Sequence, residues 1–209
     1  MTPRNAERLT IAGPAGDIEV VLDTPAATTL RGVALVCHPH PLQGGTLDNK
    51  VAHTLAKAFH GMGYAAIRFN FRGVGRSAGT FDEGIGETDD ALAVLQHARA
   101  RFGEALPVAL AGFSFGSFVQ TRVATHVKPE GLVLVGPAVN RFRVERVPPE
   151  TIVVHGEEDD VVPLADVFAW ARPQELPIVV FPGCGHFFHG RLLQLARIVT
   201  ALWPPAAAR

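Results

Sequence analysis

Cysteine is nearly absent: Cys37 and Cys184 are the only two among 209 residues. Two cysteines make no disulfide framework, and their separation excludes a C-x-x-C metal or redox pair, so both read as free thiols. Charge of either sign is not in excess. Nineteen Lys and Arg face 20 Asp and Glu, for a formal net charge of −1. No basic surplus or polybasic cluster points to nucleic acid or to anionic membranes. Long apolar runs are also missing, far short of the roughly 20 residues that cross a bilayer. The opening stretch MTPRNAERLTIAG lacks the apolar core of a signal peptide, so the expected location is the cytoplasm. There is no internal repeat and no interdomain linker. A chain of this length with 47% hydrophobic residues is expected to form one domain, residues 1–209, with a substantial core.

What is present is an alternation of short apolar runs and helical stripes. Residues 7–11 and 17–23 flank the turn Ala12-Gly13-Pro14-Ala15-Gly16 and predict a β-hairpin. Strands are expected at 32–37, 65–71, 107–112, 131–135, 151–155 and 177–181. The run Gly32 to Cys37 is apolar throughout, as suits a strand covered on both faces. Between the strands, helices are expected at 48–61, 87–102, 117–127 and 164–171, with a last one at 188–202. Val51, Leu55, Phe59 and Met62 give the first its apolar stripe. A hairpin followed by this alternation implies an α/β architecture: a mostly parallel sheet of about eight strands with helices on both faces. Such sheets place their sites at the carboxyl ends of the strands.

One of those ends carries Gly112-Phe113-Ser114-Phe115-Gly116, directly after a buried-strand pattern and before a helix. A serine hydroxyl becomes a useful nucleophile only when a base takes its proton. A sharp strand-to-helix turn lifts the serine clear of the sheet, and glycine on each side leaves room for the backbone to close up. The helix that follows offers free N–H groups to an oxyanion.

A base and an acid are then required. Among nine histidines, His186 follows the last strand in Gly185-His186-Phe187-Phe188, where the aromatic pair can anchor its loop. His189 is the rival, expected in the first turn of the last helix. The acid is expected from His155-Gly156-Glu157-Glu158-Asp159-Asp160-Val161-Val162-Pro163, where four carboxylates follow a strand. It would hold the imidazole in the correct tautomer and stabilise the imidazolium.

Nucleophile, acid and histidine in that chain order resemble the α/β-hydrolases over nearly the whole length. Gly112 to Gly116 matches the nucleophile elbow, and His155-Gly156-x-x-Asp159-x-x-Val162-Pro163 matches an H-G-x-x-D-x-x-V-P acid loop. That register selects Asp159 over Asp160. A closer likeness is to small, capless bacterial hydrolases related to the dienelactone hydrolase type. It rests on His38-Pro39-His40-Pro41 with Gly44-Gly45, on Asn49-Lys50-Val51, on Asn70 to Ser77, and on Gly86-Glu87 with Asp89-Asp90. Dienelactone hydrolases proper use cysteine where this chain has Ser114. The usual His-Gly-X oxyanion motif is also altered, because Pro39 has no N–H to donate. The resemblance then implies Phe115 N–H as one oxyanion donor and His40 N–H as the other, with Leu42 N–H as the fallback.

These readings converge on a serine hydrolase for esters or thioesters of small or short-chain acyl groups, without cofactor. Phe71, Phe81, Phe113, Phe115 and Phe187 are candidate walls. Arg72 and Arg76 are expected to brace their loop. His38, His40 and His53 lack the carboxylate or cysteine cluster that would complete a metal site, and no metal is expected. Gly73-x-Gly75 lacks the third glycine of a dinucleotide fingerprint. A peptidase of the same fold and a non-catalytic binding protein on this scaffold are the alternatives.

Overall fold

The first strand pair is a tight hairpin. In the computed structural model, which describes residues 6–26 and 29–204, β1 (Ala6–Gly13) pairs antiparallel with β2 (Gly16–Asp23) around Pro14-Ala15. Both strands run longer than the sequence suggests, because pairing continues to Gly13 opposite Gly16. The remaining strands are β3 (Gly32–Cys37), β4 (Tyr64–Phe69), β5 (Val108–Phe113), β6 (Gly131–Val135), β7 (Ile152–Gly156) and β8 (Ile178–Phe181). They form one eight-stranded sheet in the order β1-β2-β4-β3-β5-β6-β7-β8. From β4 to β8 every neighbouring pair is parallel, whereas β2 meets β4 antiparallel.

Period-two alternation divides the core. In β3, Val33, Leu35 and Cys37 face one side while Ala34 and Val36 face the other. The first side is covered by α2 (Ile85–Phe102) and α3 (Phe115–His126), the second by α1 (Lys50–Gly61) and α5 (Leu192–Leu202). Val167 of the short α4 (Leu164–Ala171) packs on Val153 of β7. Residues 136–151, between β6 and β7, contain no helix or strand, so no lid is built there.

The helix starts follow from local chemistry. Asn49 caps α1, its side-chain oxygen accepting from Val51 N and Ala52 N. The last helix begins later than residue 188, at Leu192. Gly190 sits at φ +73°, which a right-handed helix cannot continue through, and His189 is left in an exposed turn. Two 3-10 turns, Pro41–Gln43 and Arg172–Gln174, are too short to leave a periodic signal in the sequence.

Candidate active site

The turn after β5 is where the sheet is tightest. Ser114 has φ +56° and ψ −117°, a strained conformation for a residue with a side chain. A Cβ on Gly112 would stand 2.3 Å from Gly116 O, and one on Gly116 would stand 2.3 Å from Cys37 O. Only glycine allows that approach, which explains why the serine is bracketed as it is. The Ser114 N–H donates to Val135 O, fixing the turn against the end of β6. The helix α3 starts at Phe115, two residues sooner than expected, so Phe115 N–H lies unpaired at its first turn.

His186 stands in the loop after β8. Phe188 anchors that loop, fully buried against Phe181, while Phe187 remains 47% exposed. Asp159 lies in the loop after β7. The two loops are stitched together: Glu158 N–H donates to Cys184 O, and Glu157 N–H to Phe181 O. This brings three distant residues into one line. Ser114 Oγ is 3.0 Å from His186 Nε2, and His186 Nδ1 is 2.7 Å from Asp159 Oδ2. All three side chains are buried. Burial pushes the Asp159 carboxyl up, but hydrogen bonds from His186 and from Val162 N–H outweigh it and hold the group below its ordinary value. An ionised Asp159 accepts only, so His186 carries its proton on Nδ1 and leaves Nε2 free to accept from the serine hydroxyl.

Ser114 and His186 open onto a cleft of about 460 Å³, mouth included, whose other walls include His40, Gln43, Asn49, Val161 and Phe187. His40 caps the 3-10 turn Pro41–Gln43, its Nδ1 accepting from Leu42 N–H at 3.2 Å. Burial, with Arg141 nearby, lowers the His40 pKa and favours the neutral ring, in which Nδ1 can accept from Leu42 N–H. Leu42 N–H is therefore engaged. Among the described residues neither His40 N–H nor Phe115 N–H donates to a protein acceptor.

The expected aromatic walls separate into two groups. Phe187 lines the cleft, and Phe81 lines a neighbouring hollow with Leu42 and Val74. Phe71, Phe113 and Phe115 are fully buried core residues, which corrects their reading as walls. Phe71 packs on His38 at 4.4 Å and Phe113 on His186 at 4.8 Å, so they support the site from below. The sequence pattern could not separate an aromatic that faces a cleft from one beneath it.

His38 joins two strand ends. Its Nδ1 donates to Pro39 O at 2.7 Å, and its Nε2 accepts from Phe71 N–H at 3.0 Å. Burial lowers its pKa to about 4, consistent with a neutral ring. Arg72 braces its loop through a bidentate contact to Asp90, both bonds 2.8 Å. Arg76 is the more exposed of the two, 3.4 Å from Glu19. Asn70, Ser77 and Glu19 interlock nearby: Asn70 Nδ2 donates to Glu19 Oε2, and Ser77 Oγ to Asn70 O. The Asn70 to Ser77 motif is thus architectural here. Cys37 and Cys184 are free and buried. Gln43, Asn49 and Val161 also line the cleft; the motifs that contain Asn49 and Val161 carry no sign of this, since loop residues of ordinary type leave no such signal in one sequence.

Comparison with known proteins places this architecture. A family model described as serine aminopeptidase, S33 matches residues 42–148, about half of the chain. An α/β serine hydrolase homologue from Coxiella burnetii is similar at 39% identity and TM-score 0.87, over 93% of this chain and 96% of that one. An α/β serine hydrolase without lid from Xanthomonas campestris is 35% identical at TM-score 0.90, covering 100% of this chain and 99% of that one. An uncharacterized protein of Rickettsia prowazekii is 34% identical, over 74% of this chain and 68% of its own length. The chain therefore belongs to the α/β-hydrolase superfamily, within the serine aminopeptidase S33 family.

Proposed function

We propose that this serine hydrolase cleaves carboxylic esters or thioesters of small or short-chain acyl groups through Ser114, His186 and Asp159. The observation that carries the reading is the continuous line from Ser114 Oγ to His186 Nε2 at 3.0 Å and from His186 Nδ1 to Asp159 Oδ2 at 2.7 Å. Ser114 Oγ attacks the acyl carbon as its proton passes to His186 Nε2. Asp159 stabilises the imidazolium so formed. Phe115 N–H and His40 N–H hold the oxyanion, because both are unspent and flank the nucleophile. His186 then protonates the leaving alkoxide or thiolate. Water, deprotonated by the same imidazole, releases the acid from the acyl-enzyme.

The open cleft and the lidless 136–151 segment favour small acyl groups. The family description favours a competing reading, an aminopeptidase. Such an enzyme needs a carboxylate near the nucleophile to hold the substrate α-ammonium, and no carboxylate is among the described residues lining the cleft. This supports esters over peptides. The finer likeness to the dienelactone hydrolase type rests on the sequence motifs alone.

The test is hydrolysis of p-nitrophenyl esters of increasing acyl length, with aminoacyl p-nitroanilides beside them, by wild type and Ser114→Ala. We expect turnover of the short esters, little of the anilides, and a fall of at least about 10⁴-fold in the variant. Faster turnover of anilides or of long-chain esters would overturn the substrate assignment. Absence of fluorophosphonate labelling at Ser114 in folded protein would favour a binding scaffold.

A further inference from the structure

The His155 of the acid-loop motif takes no part in the steps above, yet its side chain is completely buried at the end of β7. Its Nε2 lies 2.8 Å from Val162 O and 3.3 Å from Asp159 Oδ2. Both neighbours can only accept: one is a carbonyl, the other an ionised carboxylate. The hydrogen must therefore reside on Nε2. Burial lowers the pKa of the ring, which keeps it neutral and leaves Nδ1 bare; Nδ1 is buried with no partner among the described residues.

The contacts close a ring. Val162 N–H donates to Asp159 Oδ1 at 2.7 Å, and Val161 N–H donates to the same oxygen at 3.0 Å. Val162 O in turn receives the His155 N–H, whose positive edge also faces Oδ2. Oδ2 is the oxygen that holds His186.

We infer that His155 is a positioning residue for the acid: its Nε2–H clamps the Val162 end of the loop and faces Asp159 Oδ2, fixing the carboxylate plane toward His186. Without that N–H, Val162 O loses its donor and the loop carrying both Oδ1 donors is free to shift. Asp159 then rotates away from the line to His186, and the loss falls on the chemical step and not on substrate binding.

The inference rests on the proposed roles of Ser114, Asp159 and His186, and two measurements keep the failures apart. The first is imidazole ¹⁵N NMR of the wild-type protein. We expect His155 as the neutral Nε2–H tautomer; the Nδ1–H tautomer would overturn the inference whatever Ser114 does, and needs no variant to fold. The second compares His155→Leu with His155→Gln on a short p-nitrophenyl ester, with folding checked by near-ultraviolet circular dichroism. We expect kcat to fall about tenfold in the leucine variant at unchanged KM, with recovery in the glutamine variant, whose amide N–H restores the donor. Equal impairment in both folded variants, or unchanged kcat in the leucine variant, would reduce His155 to packing. Wild-type-like activity in Ser114→Ala would instead defeat the proposed mechanism and leave the tautomer result standing.

Discussion

His40 shows how much one residue carries at the mouth of the cleft. Its backbone N–H is proposed as an oxyanion donor, while its imidazole caps the following 3-10 turn. The two functions separate by substitution. The residue has φ −53°, within the range proline adopts, so His40→Pro removes the N–H at a φ the ring allows. His40→Ala removes the imidazole but keeps the N–H. Loss of one oxyanion donor costs roughly 10²–10³-fold in kcat, so the proline variant should fall by about that factor below the alanine variant. Equal kcat values in the two variants would assign the donor elsewhere. The same scale explains why the G-x-S-x-G pattern is informative in the sequence alone: a Cβ on either glycine would stand 2.3 Å from a backbone oxygen, an approach no other residue tolerates. The aromatic walls are not legible in this way. Phe71, Phe113 and Phe187 are the same residue type in similar strand-end settings, and only packing places two beneath the site and one beside it.

Among the elements, the strands and their carboxyl ends are the most readable. β3, β6 and α4 have the expected bounds because uninterrupted apolar runs or a preceding proline define them locally. The C-terminal helix starts later than its apolar stripe suggests. Phe188 extends that stripe, although Phe188 at φ +52° and Gly190 at φ +73° cannot be helical. The loop after β4 is expected to depend on Arg72, and its partner proves to be Asp90 on α2. Asp90 is 1% exposed, whereas Arg72 is partly buried with Asp82 3.8 Å from its Nη1, so Asp90→Ala leaves the guanidinium a weaker anion and some contact with water. Losing these two charged hydrogen bonds costs about 2 kcal/mol, which for a chain of this size lowers Tm by about 6 °C. Thermal unfolding would measure it. KM for short esters should not change, and a rise in KM would mean that Arg72 contacts substrate.

For the whole molecule, the relevant response is to acid. His38 ties β3 to the end of β4, and its folded pKa lies near 4 against an ordinary histidine value of about 6.5. The unfolded chain thus binds a proton in a window where the native chain does not. Stability from this group is complete above about pH 6.5 and is lost as pH falls toward 4, up to about 3 kcal/mol across the full window. His155, also lowered by burial, acts in the same direction. The lowered pKa of Asp159 adds a further loss at more acidic pH, since its contribution is present above the ordinary aspartate value and vanishes below the folded one. Urea midpoints at pH 7.5 and 4.5 should differ accordingly, with the difference reduced in His38→Gln. An undiminished difference in that variant would assign the pH response to other groups.

By itself the sequence determined the alternation of strands and helices, the elbow around Ser114 and the chain order of serine, acid and histidine. Each of these is local: an apolar run, a pair of glycines, a motif a few residues long. Tertiary structure decided what depends on separations of 27 and 72 residues, namely that Asp159 and Ser114 meet the two nitrogens of one imidazole. It also decided that His40 and not Leu42 has an unspent N–H, and that His155 lies against Asp159. Distances between loops are set by the register of the sheet beneath them, and register is a property of the packed chain that no single segment contains.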